Sequence, residues 1–227
     1  MEIGQGRLHR FVVRGVELLA WDGAGSLSAG RVAGELFADV YGLEAIPFRD
    51  GDVVVDVGAH VGLVSLYLAK RWPFLRIHAF EPHPVNHRNC AENLRLNGVA
   101  NVRLERRAVT ADGRAVELRC LPSNTGGATA VFDMPGAGAA VSAPSTTLAA
   151  VCAEALPPDG RCRLLKLDCE GMEYEILRQP GALDRIDYLA AELHYGDDDG
   201  PARALAAHCG RFVSADQSRF VFCPKRD

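Results

Sequence analysis

The sequence lacks several features that would be expected of an extracellular, membrane-spanning or redox-active protein. Its seven cysteines are scattered, and no two of them have the C-x-x-C spacing of many redox and zinc sites. An odd and scattered set favours reduced thiols, so we expect a cytoplasmic protein. No apolar run is long enough to cross a membrane, and we expect no membrane partner.

Basic charge is also scarce. The chain has 25 lysines and arginines against 29 acidic residues, a net charge of −4, and only three of the basic residues are lysines. Nucleic-acid-binding domains normally present a basic stripe, so we expect no nucleic-acid partner. The 227 residues suffice for one domain with a buried core. With no repeat and no second core in the pattern, we predict a single domain over 1–227. The sequence carries no signal for an oligomeric state.

The most informative segment is VVVDVGAHVGLVSLYLAKRW followed by RIHAFEPHP. The apolar run Val53 to Val55 ends at Asp56, and a glycine-bearing turn follows. An amphipathic stretch over 63–70 predicts a helix, and a second apolar run then ends at Glu81. The pattern therefore predicts a strand, a tight turn, a helix and a second strand that ends in a carboxylate.

The spacing within this turn excludes phosphate binding. Ala59 and Val61 break the dinucleotide fingerprint G-x-G-x-x-G, and the G-K-[ST] of a P-loop is absent. In the remaining pattern, D-x-G-x-x-x-G, Gly58 and Gly62 allow a ligand to approach the backbone. Glu81 can accept both hydroxyls of a ribose. An adenosine cofactor without phosphates fits these features, and S-adenosylmethionine is such a cofactor.

Along the whole chain, predicted strands alternate with predicted helices, and a hairpin is predicted at the end over 211–223. This order predicts an α/β fold with a mostly parallel sheet and one reversed strand. We expect residues 1–45 to form an N-terminal extension that covers the cofactor cleft, and 46–227 to form the core. Residues 101–109 and 114–121 are predicted strands joined by a turn. The small and flexible residues of 122–146 predict a long irregular loop.

Two further predicted strands end in dense polar sequence. One ends with Lys166 and Asp168, followed by Glu170, and the other ends with Glu192 and His194. Alternate residues of a strand share a face, so Asp168, Glu192 and His194 can converge if these strands are neighbours. A lysine inside an apolar strand must be paired, because burying an unpaired ammonium group is costly.

The block LLKLDCEGMEYEIL, with the VVVDVGAHVG turn, FEPHP, NVRLERRAV and a later ELH, resembles the FkbM family of S-adenosylmethionine-dependent methyltransferases. The resemblance covers about residues 50–195. It implies a class I methyltransferase fold, a Rossmann-like sheet of seven strands with helices on both faces. It also implies methylation of hydroxyl groups, mostly on natural products, sugars or glycolipids. Cys169 departs from the aliphatic residue usual at that position.

The resemblance further implies roles for individual residues. On the cofactor side it implies Asp56, Gly58, His60, Gly62, Glu81, Ala108, Val109, Ser123, Asn124 and Asp168. On the acceptor side it implies Lys166, Asp168, Glu170, Glu192 and His194.

Methyl transfer to an alcohol requires alignment of the acceptor with the methyl group and removal of a proton. His194 is the candidate base because the unperturbed pKa of histidine lies near neutrality, and Lys166, Asp168 and Glu170 are further catalytic candidates. Alternatively, Asp168, Glu192 and His194 bind a divalent metal that lowers the pKa of the alcohol. We favour the metal-free base because nothing in the sequence fixes a fourth ligand.

Two other functions remain open at this point. An N-methyltransferase acting on a small-molecule amine or amide would need less base, because a neutral amine is already nucleophilic. A non-catalytic cofactor-binding protein would have no use for the buried ionisable residues of the acceptor side. We therefore expect a small-molecule acceptor and methylation of its hydroxyl group.

Overall fold

The computed structural model describes residues 6–23, 28–121, 124–132, 135–194 and 218–224; of Asn124 and 218–224 it describes the backbone alone. The elements in chain order are β1 (Gly6–Val13), β2 (Val16–Gly23), α1 (Ser28–Ala38), a 3-10 turn (Leu43–Ala45), β3 (Val53–Val57), α2 (Leu63–Arg71), β4 (Arg76–Phe80), α3 (Pro84–Leu96), β5 (Val102–Glu105), β6 (Ala108–Thr110), β7 (Val116–Leu121), β8 (Asn124–Thr129), β9 (Val141–Ala143), β10 (Ser145–Thr147), α4 (Leu148–Ala155), β11 (Cys162–Leu167), α5 (Glu173–Leu177), β12 (Ile186–His194) and β13 (Ser218–Pro224). The longest of the described helices, α3, has 13 residues, and none of them is long and apolar enough to span a membrane.

Six of the described strands form the central sheet, in the order β13-β12-β11-β3-β4-β5. The five strands from β12 to β5 are parallel, and β13 runs antiparallel to β12. The predicted α/β fold with a mostly parallel sheet is confirmed. The chain forms β3, β4 and β5 in one direction across the sheet and then returns to add β11 on the other side of β3. The strand order therefore reverses between β3 and β11, and in such folds ligands bind at this position, beyond the carboxyl ends of the strands.

The central strand β3 is buried on both faces, which explains its continuous apolar sequence. Val53, Val55 and Val57 pack into a core shared with α4 and α5. Val54 faces a second core, formed with β2, α1, α2 and α3. The sheet therefore carries helices on both faces, and the β1–β2 hairpin covers part of one of them. The predicted seventh strand (211–215) and the helix predicted over 201–210 lie outside the described residues.

The two strands predicted over 101–109 and 114–121 do not pair with each other. Residues 101–109 divide into β5, which belongs to the central sheet, and β6, which pairs in parallel with β10. Gly113 does occupy a turn, where its N–H bonds Thr110 Oγ1 at 2.9 Å, but β7 pairs with β8 and β9 instead of β6. The turn at Gly113 is a local feature of the sequence. The partners of β6 and β7 are the strands β8, β9 and β10, which lie almost entirely within 122–146, the segment predicted to be an irregular loop.

Candidate active site

The turn after β3 contains two glycines in the left-handed conformation. Gly58 has φ 80°, and a Cβ at that position would lie 1.7 Å from the carbonyl oxygen of Asp168. Gly62 has φ 86°, and its Cβ would lie 2.5 Å from Sγ of Cys90. Both glycines are thus required by close packing within the protein, where the sequence had suggested the approach of a ligand.

We expect Gly58→Ala to lower the free energy of unfolding by about 2–5 kcal/mol, from left-handed strain and the clash with the end of β11. Gly98→Ala is the matched control, because Gly98 has φ 64° but no atom within 4 Å of its Cβ position. Gly98→Ala should lower the free energy of unfolding by about 1–2 kcal/mol, from the backbone strain alone. Urea unfolding measures the free energy of unfolding of both variants. Equal decreases in the two would contradict the expected clash between the Cβ introduced by Gly58→Ala and the carbonyl of Asp168.

Glu81 follows β4 and is only 5% exposed. Its Oε2 accepts the backbone N–H of His60 at 2.7 Å, and its Oε1 accepts that of His83 at 2.8 Å. Burial raises the pKa of Glu81 to about 7, against the opposing effect of these two hydrogen bonds. Each carboxylate oxygen has a further lone pair, so the group can still accept two hydroxyl donors.

Lys166 is 1% exposed and joins β11 to the turn after β3. Its Nζ donates to the carbonyl of Gly58 at 2.8 Å and lies 3.2 Å from Asp56 Oδ1 and 3.4 Å from Asp168 Oδ2. Burial alone would lower the pKa of Lys166, but the two carboxylates outweigh it and raise the pKa above the usual value. Asp56 also accepts a hydrogen bond from Ser65 at 2.6 Å. The predicted pairing of the lysine is therefore present.

A cavity of about 350 Å³ opens at the carboxyl edge of the sheet beside this turn. The following predicted site residues line it: Gly58, His60, Glu81, Ala108, Val109, Asp168, Glu170 and Glu192. Within the described part of the chain, four predicted site residues lie behind that lining: Asp56, Gly62, Lys166 and His194. Ser123 lies outside the described residues, and Asn124 begins β8. Helix α1 adds Arg31 and Glu35 to the wall.

Three buried polar atoms that belong to cavity-lining residues have no hydrogen-bond partner among the residues that the structure describes. They are Nε2 of His60, Oδ1 of Asn86 and Nε of Arg107. Burial lowers the pKa of His60 to about 4, so its ring is neutral. Asn86 donates through Nδ2 to the carbonyl of Thr125 in β8 at 2.8 Å, which directs its oxygen elsewhere. A buried polar atom left unpaired costs about 1–3 kcal/mol, and a polar ligand in the cavity would remove that cost.

These groups fit a nucleoside such as the adenosine of S-adenosylmethionine. Glu81 offers acceptors for a ribose diol, and Asn86 offers a further acceptor. Ala108 and Val109 offer an apolar surface of the kind that suits a base. Asn86 was not among the predicted site residues, although its position in the first turn of α3, close behind Glu81, was a usable signal.

His194 lies among four carboxylates, and three of these belong to residues that line the cavity. Its Nδ1 is 3.2 Å from Glu173 Oε1, and its Nε2 is 3.5 Å from Glu170 Oε2, 3.6 Å from Glu192 Oε1 and 4.0 Å from Asp168 Oδ1. The structure thus brings together Asp168, Glu192 and His194, as the sequence predicted. They converge because β11 and β12 are adjacent parallel strands.

The electrostatics of this cluster differ from the prediction for His194. Burial alone would lower its pKa, but the hydrogen bond to Glu173 and the surrounding carboxylates outweigh burial and raise the pKa to about 9. In the cluster as it stands, His194 is therefore protonated at neutral pH and is not a ready base. Burial also raises the pKa of Glu170 to about 7, although His194 opposes the shift.

Glu173 contacts both the turn after β11 and His194, and it was not among the predicted site residues. It is fully buried; Oε1 accepts the N–H of Cys169 at 2.7 Å and Oε2 accepts that of Gly171 at 2.9 Å. The same Oε1 faces His194, so one carboxylate fixes both the turn after β11 and the imidazole ring. The feature of the sequence that could have indicated Glu173 is the presence of a second glutamate three residues after Glu170.

The N-terminal elements also reach this cluster. Arg31 Nη2 in α1 lies 3.1 Å from Glu192 Oε1, and the hydroxyl of Tyr41 donates to Asp168 Oδ2 at 3.4 Å. These contacts join residues that the sequence assigned to an extension with residues of the core.

The chain is similar to known methyltransferases. A family profile described as "Methyltransferase FkbM domain" matches residues 56–210. Methyltransferase 1 of Beauveria bassiana is 25% identical over 177 residues, which cover 70% of this chain and 71% of that protein. Methyltransferase sdnD of Sordaria araneosa is 29% identical over 167 residues, which cover 62% of each.

Two further similarities are more limited. The 31-O-demethyl-FK506 methyltransferase FkbM of Streptomyces tacrolimicus is 44% identical over 52 residues, which cover 22% of this chain and 20% of that protein. Among solved structures, an rRNA methylase from Streptococcus thermophilus is 13% identical, with a TM-score of 0.49; the match covers 83% of this chain and 93% of that one.

Proposed function

Since the chain belongs to the FkbM family of methyltransferases, we propose that it transfers the methyl group of S-adenosylmethionine to a hydroxyl group of a small molecule, a natural product or a sugar. The observation that carries this proposal is one cavity lined by two unlike groups of side chains. One group is Glu81 with the unpaired oxygen of Asn86, and the other is the carboxylates Asp168, Glu170 and Glu192. We assign the first group to the cofactor end and the second to the acceptor end.

At the first end, Glu81 holds the two ribose hydroxyls, because both of its oxygens are fixed by backbone N–H groups and keep free lone pairs. Asn86 Oδ1 accepts a hydrogen bond from the nucleoside, and His60 Nε2 faces its polar edge. Ala108 and Val109 pack against the adenine. Gly58 places the turn close to Asp168, and Lys166 and Asp56 hold that arrangement from behind the lining.

At the second end, the acceptor hydroxyl lies against the carboxylates. When bound, S-adenosylmethionine supplies an electrophilic methyl group on a positively charged sulfur, so no acid is required to assist the leaving group. The residues of the chain must align the hydroxyl with that methyl group and take its proton. Asp168, Glu170 and Glu192 line the cavity and can accept the proton, while His194 lies behind them and holds the cluster together.

Two features favour oxygen over nitrogen as the acceptor atom. A cluster of proton acceptors suits an alcohol, whereas a neutral amine needs little help from a base. The printed name of the Streptomyces tacrolimicus relative also describes methylation of an O-demethylated natural product. We further propose that α1 forms the acceptor wall of the cavity, since Arg31 and Glu35 line it and Arg31 contacts Glu192.

The test is transfer of a ¹³C-labelled methyl group from S-adenosylmethionine to matched pairs of small molecules that differ in one hydroxyl or amine. We expect an O–CH₃ product, which NMR separates from N–CH₃ by chemical shift. Labelling of amines alone would favour the N-methyltransferase alternative. S-adenosylhomocysteine should also raise the melting temperature by mass action, and a failure of calorimetry to detect its binding would overturn the cofactor assignment.

A further inference from the structure

We propose that Asp168, Glu192 and His194 form a binding site for a divalent cation of the Mg²⁺ or Mn²⁺ type at the acceptor end of the cavity. The proposed role of the ion in methyl transfer rests on the function proposed above, whereas its binding does not. A metal ion bound here differs from the mechanism that the sequence favoured, in which His194 is a general base and no metal is bound.

The first argument is the spacing of the donor atoms. One oxygen or nitrogen from each of the three side chains lies within 4.8 Å of the others. Nε2 of His194 is 3.6 Å from Glu192 Oε1 and 4.0 Å from Asp168 Oδ1. Ligands about 2.1–2.5 Å from a shared ion lie about 3–5 Å apart, so an ion fits between these atoms with small side-chain movements. At such distances one N–H cannot bond well to several acceptors.

The second argument is the orientation of the imidazole. Nδ1 of His194 is 3.2 Å from Oε1 of Glu173, whose oxygens are also fixed by the N–H groups of Cys169 and Gly171. Histidines that bind metals usually donate their other ring N–H to such a carboxylate, which fixes the tautomer and orients the ligand nitrogen. Here that arrangement directs Nε2 toward the carboxylates that line the cavity.

The third argument is the balance of charge. Four carboxylates surround His194: Asp168, Glu170, Glu173 and Glu192. Among the described residues, Lys166 is shared between Asp168 and Asp56, and Arg31 reaches Glu192 from a position where two thirds of its side chain is exposed. A divalent ion would place two further positive charges among these carboxylates. The two carboxylates suit Mg²⁺ or Mn²⁺, and the imidazole favours Mn²⁺ over Mg²⁺.

The fourth argument is access. Asp168 and Glu192 line the cavity, so the open coordination positions of the ion would face the acceptor. An alcohol bound there would be more acidic and would lose its proton to the carboxylate of Glu170. The electron pair of the oxygen then forms the new C–O bond, while the C–S bond breaks and its pair remains on sulfur. The products are a methyl ether, a neutral thioether and a protonated Glu170.

Metal binding can be tested without knowing the acceptor. The full chain, freed of metal by chelation, is titrated with Mn²⁺ and followed by electron paramagnetic resonance. We expect one bound Mn²⁺ per chain, displaced by excess Mg²⁺. Glu192→Gln and His194→Ala should each weaken binding by at least about tenfold, a loss typical of disturbed metal sites. Glu92→Gln is the matched control, since Glu92 pairs with Arg95 on the surface of α3, and it should bind Mn²⁺ normally.

The same preparation separates this proposal from the proposed function. If S-adenosylhomocysteine binds and Mn²⁺ does not, the metal site is wrong and the methyltransferase assignment stands. Equal Mn²⁺ affinity in wild type and in folded Glu192→Gln and His194→Ala would also overturn the site. Paramagnetic broadening of the His194 ring signals in the wild-type chain tests the same position without any substitution, and unbroadened signals at saturating Mn²⁺ would exclude His194 as a ligand.

Discussion

Lys166→Met is expected to lower the free energy of unfolding by about 3–5 kcal/mol, because it leaves the buried carboxylate of Asp56 and the partly buried carboxylate of Asp168 without their cation. The variant also removes the hydrogen bond from Nζ to the carbonyl of Gly58. For a chain of this size, such a loss lowers the melting temperature by roughly 6–20 °C. Methionine keeps most of the volume of the side chain, so the effect reports on charge more than on packing.

Chemical unfolding of the variant measures this loss directly. Lys70→Met is the matched control, because Lys70 lies at the partly exposed end of α2 and makes a 3.3 Å contact with Asn97. That substitution should cost less than about 1 kcal/mol, as surface substitutions usually do. Similar losses in the two variants would show that the buried ion pairs contribute little.

Glu81→Gln is expected to weaken the binding of S-adenosylhomocysteine by about 100-fold or more. Hydrogen bonds to a charged group are worth about 1.5–3 kcal/mol each, and the carboxylate is placed to accept two from the ribose; a factor of ten in affinity is about 1.4 kcal/mol. Isothermal titration calorimetry gives the affinity, with Glu92→Gln as the control for the loss of a surface carboxylate. A change of less than threefold in Glu81→Gln would place the ribose elsewhere.

Glu81 also gives this binding a dependence on pH. With a pKa of about 7, the group is increasingly protonated as the pH falls from 8 to 6 and then accepts hydrogen bonds less well, so cofactor affinity should fall in wild type and not in Glu81→Gln. Stability without ligand should respond in the opposite sense. Because the folded pKa lies above the unfolded value of 4.5, the contribution of Glu81 to stability is full below pH 4.5 and is lost as the pH rises through 7.

Local patterns in the sequence predicted the elements that frame the site. The apolar run of β3, the glycine turn and the strand ending before Glu81 are all short-range signals, and the structure contains each of them. The convergence of Asp168 and His194 followed from strand alternation plus the adjacency of β11 and β12. Strand alternation is a local signal, whereas the adjacency of β11 and β12 was a condition of the prediction that the structure supplied.

Other features depend on partners far away in the sequence and were therefore not predictable. The pairing of β6 with β10 joins residues more than thirty positions apart, and the turn at Gly113 does not encode it. The shifted pKa of His194 results mainly from carboxylates on other segments. The reason for Gly58 became clear only with Asp168 in place beside it.

The residues assigned to the two ends of the cavity come from different parts of the chain, which has a consequence for changes in acceptor choice. Under the proposed function, the cofactor end depends on Glu81 and the turn after β3, which the folding of the sheet also requires. The acceptor end includes exposed side chains of α1 such as Arg31. Substitutions at exposed positions of α1 can therefore change which acceptor is selected, while the buried residues of α1 continue to support the fold.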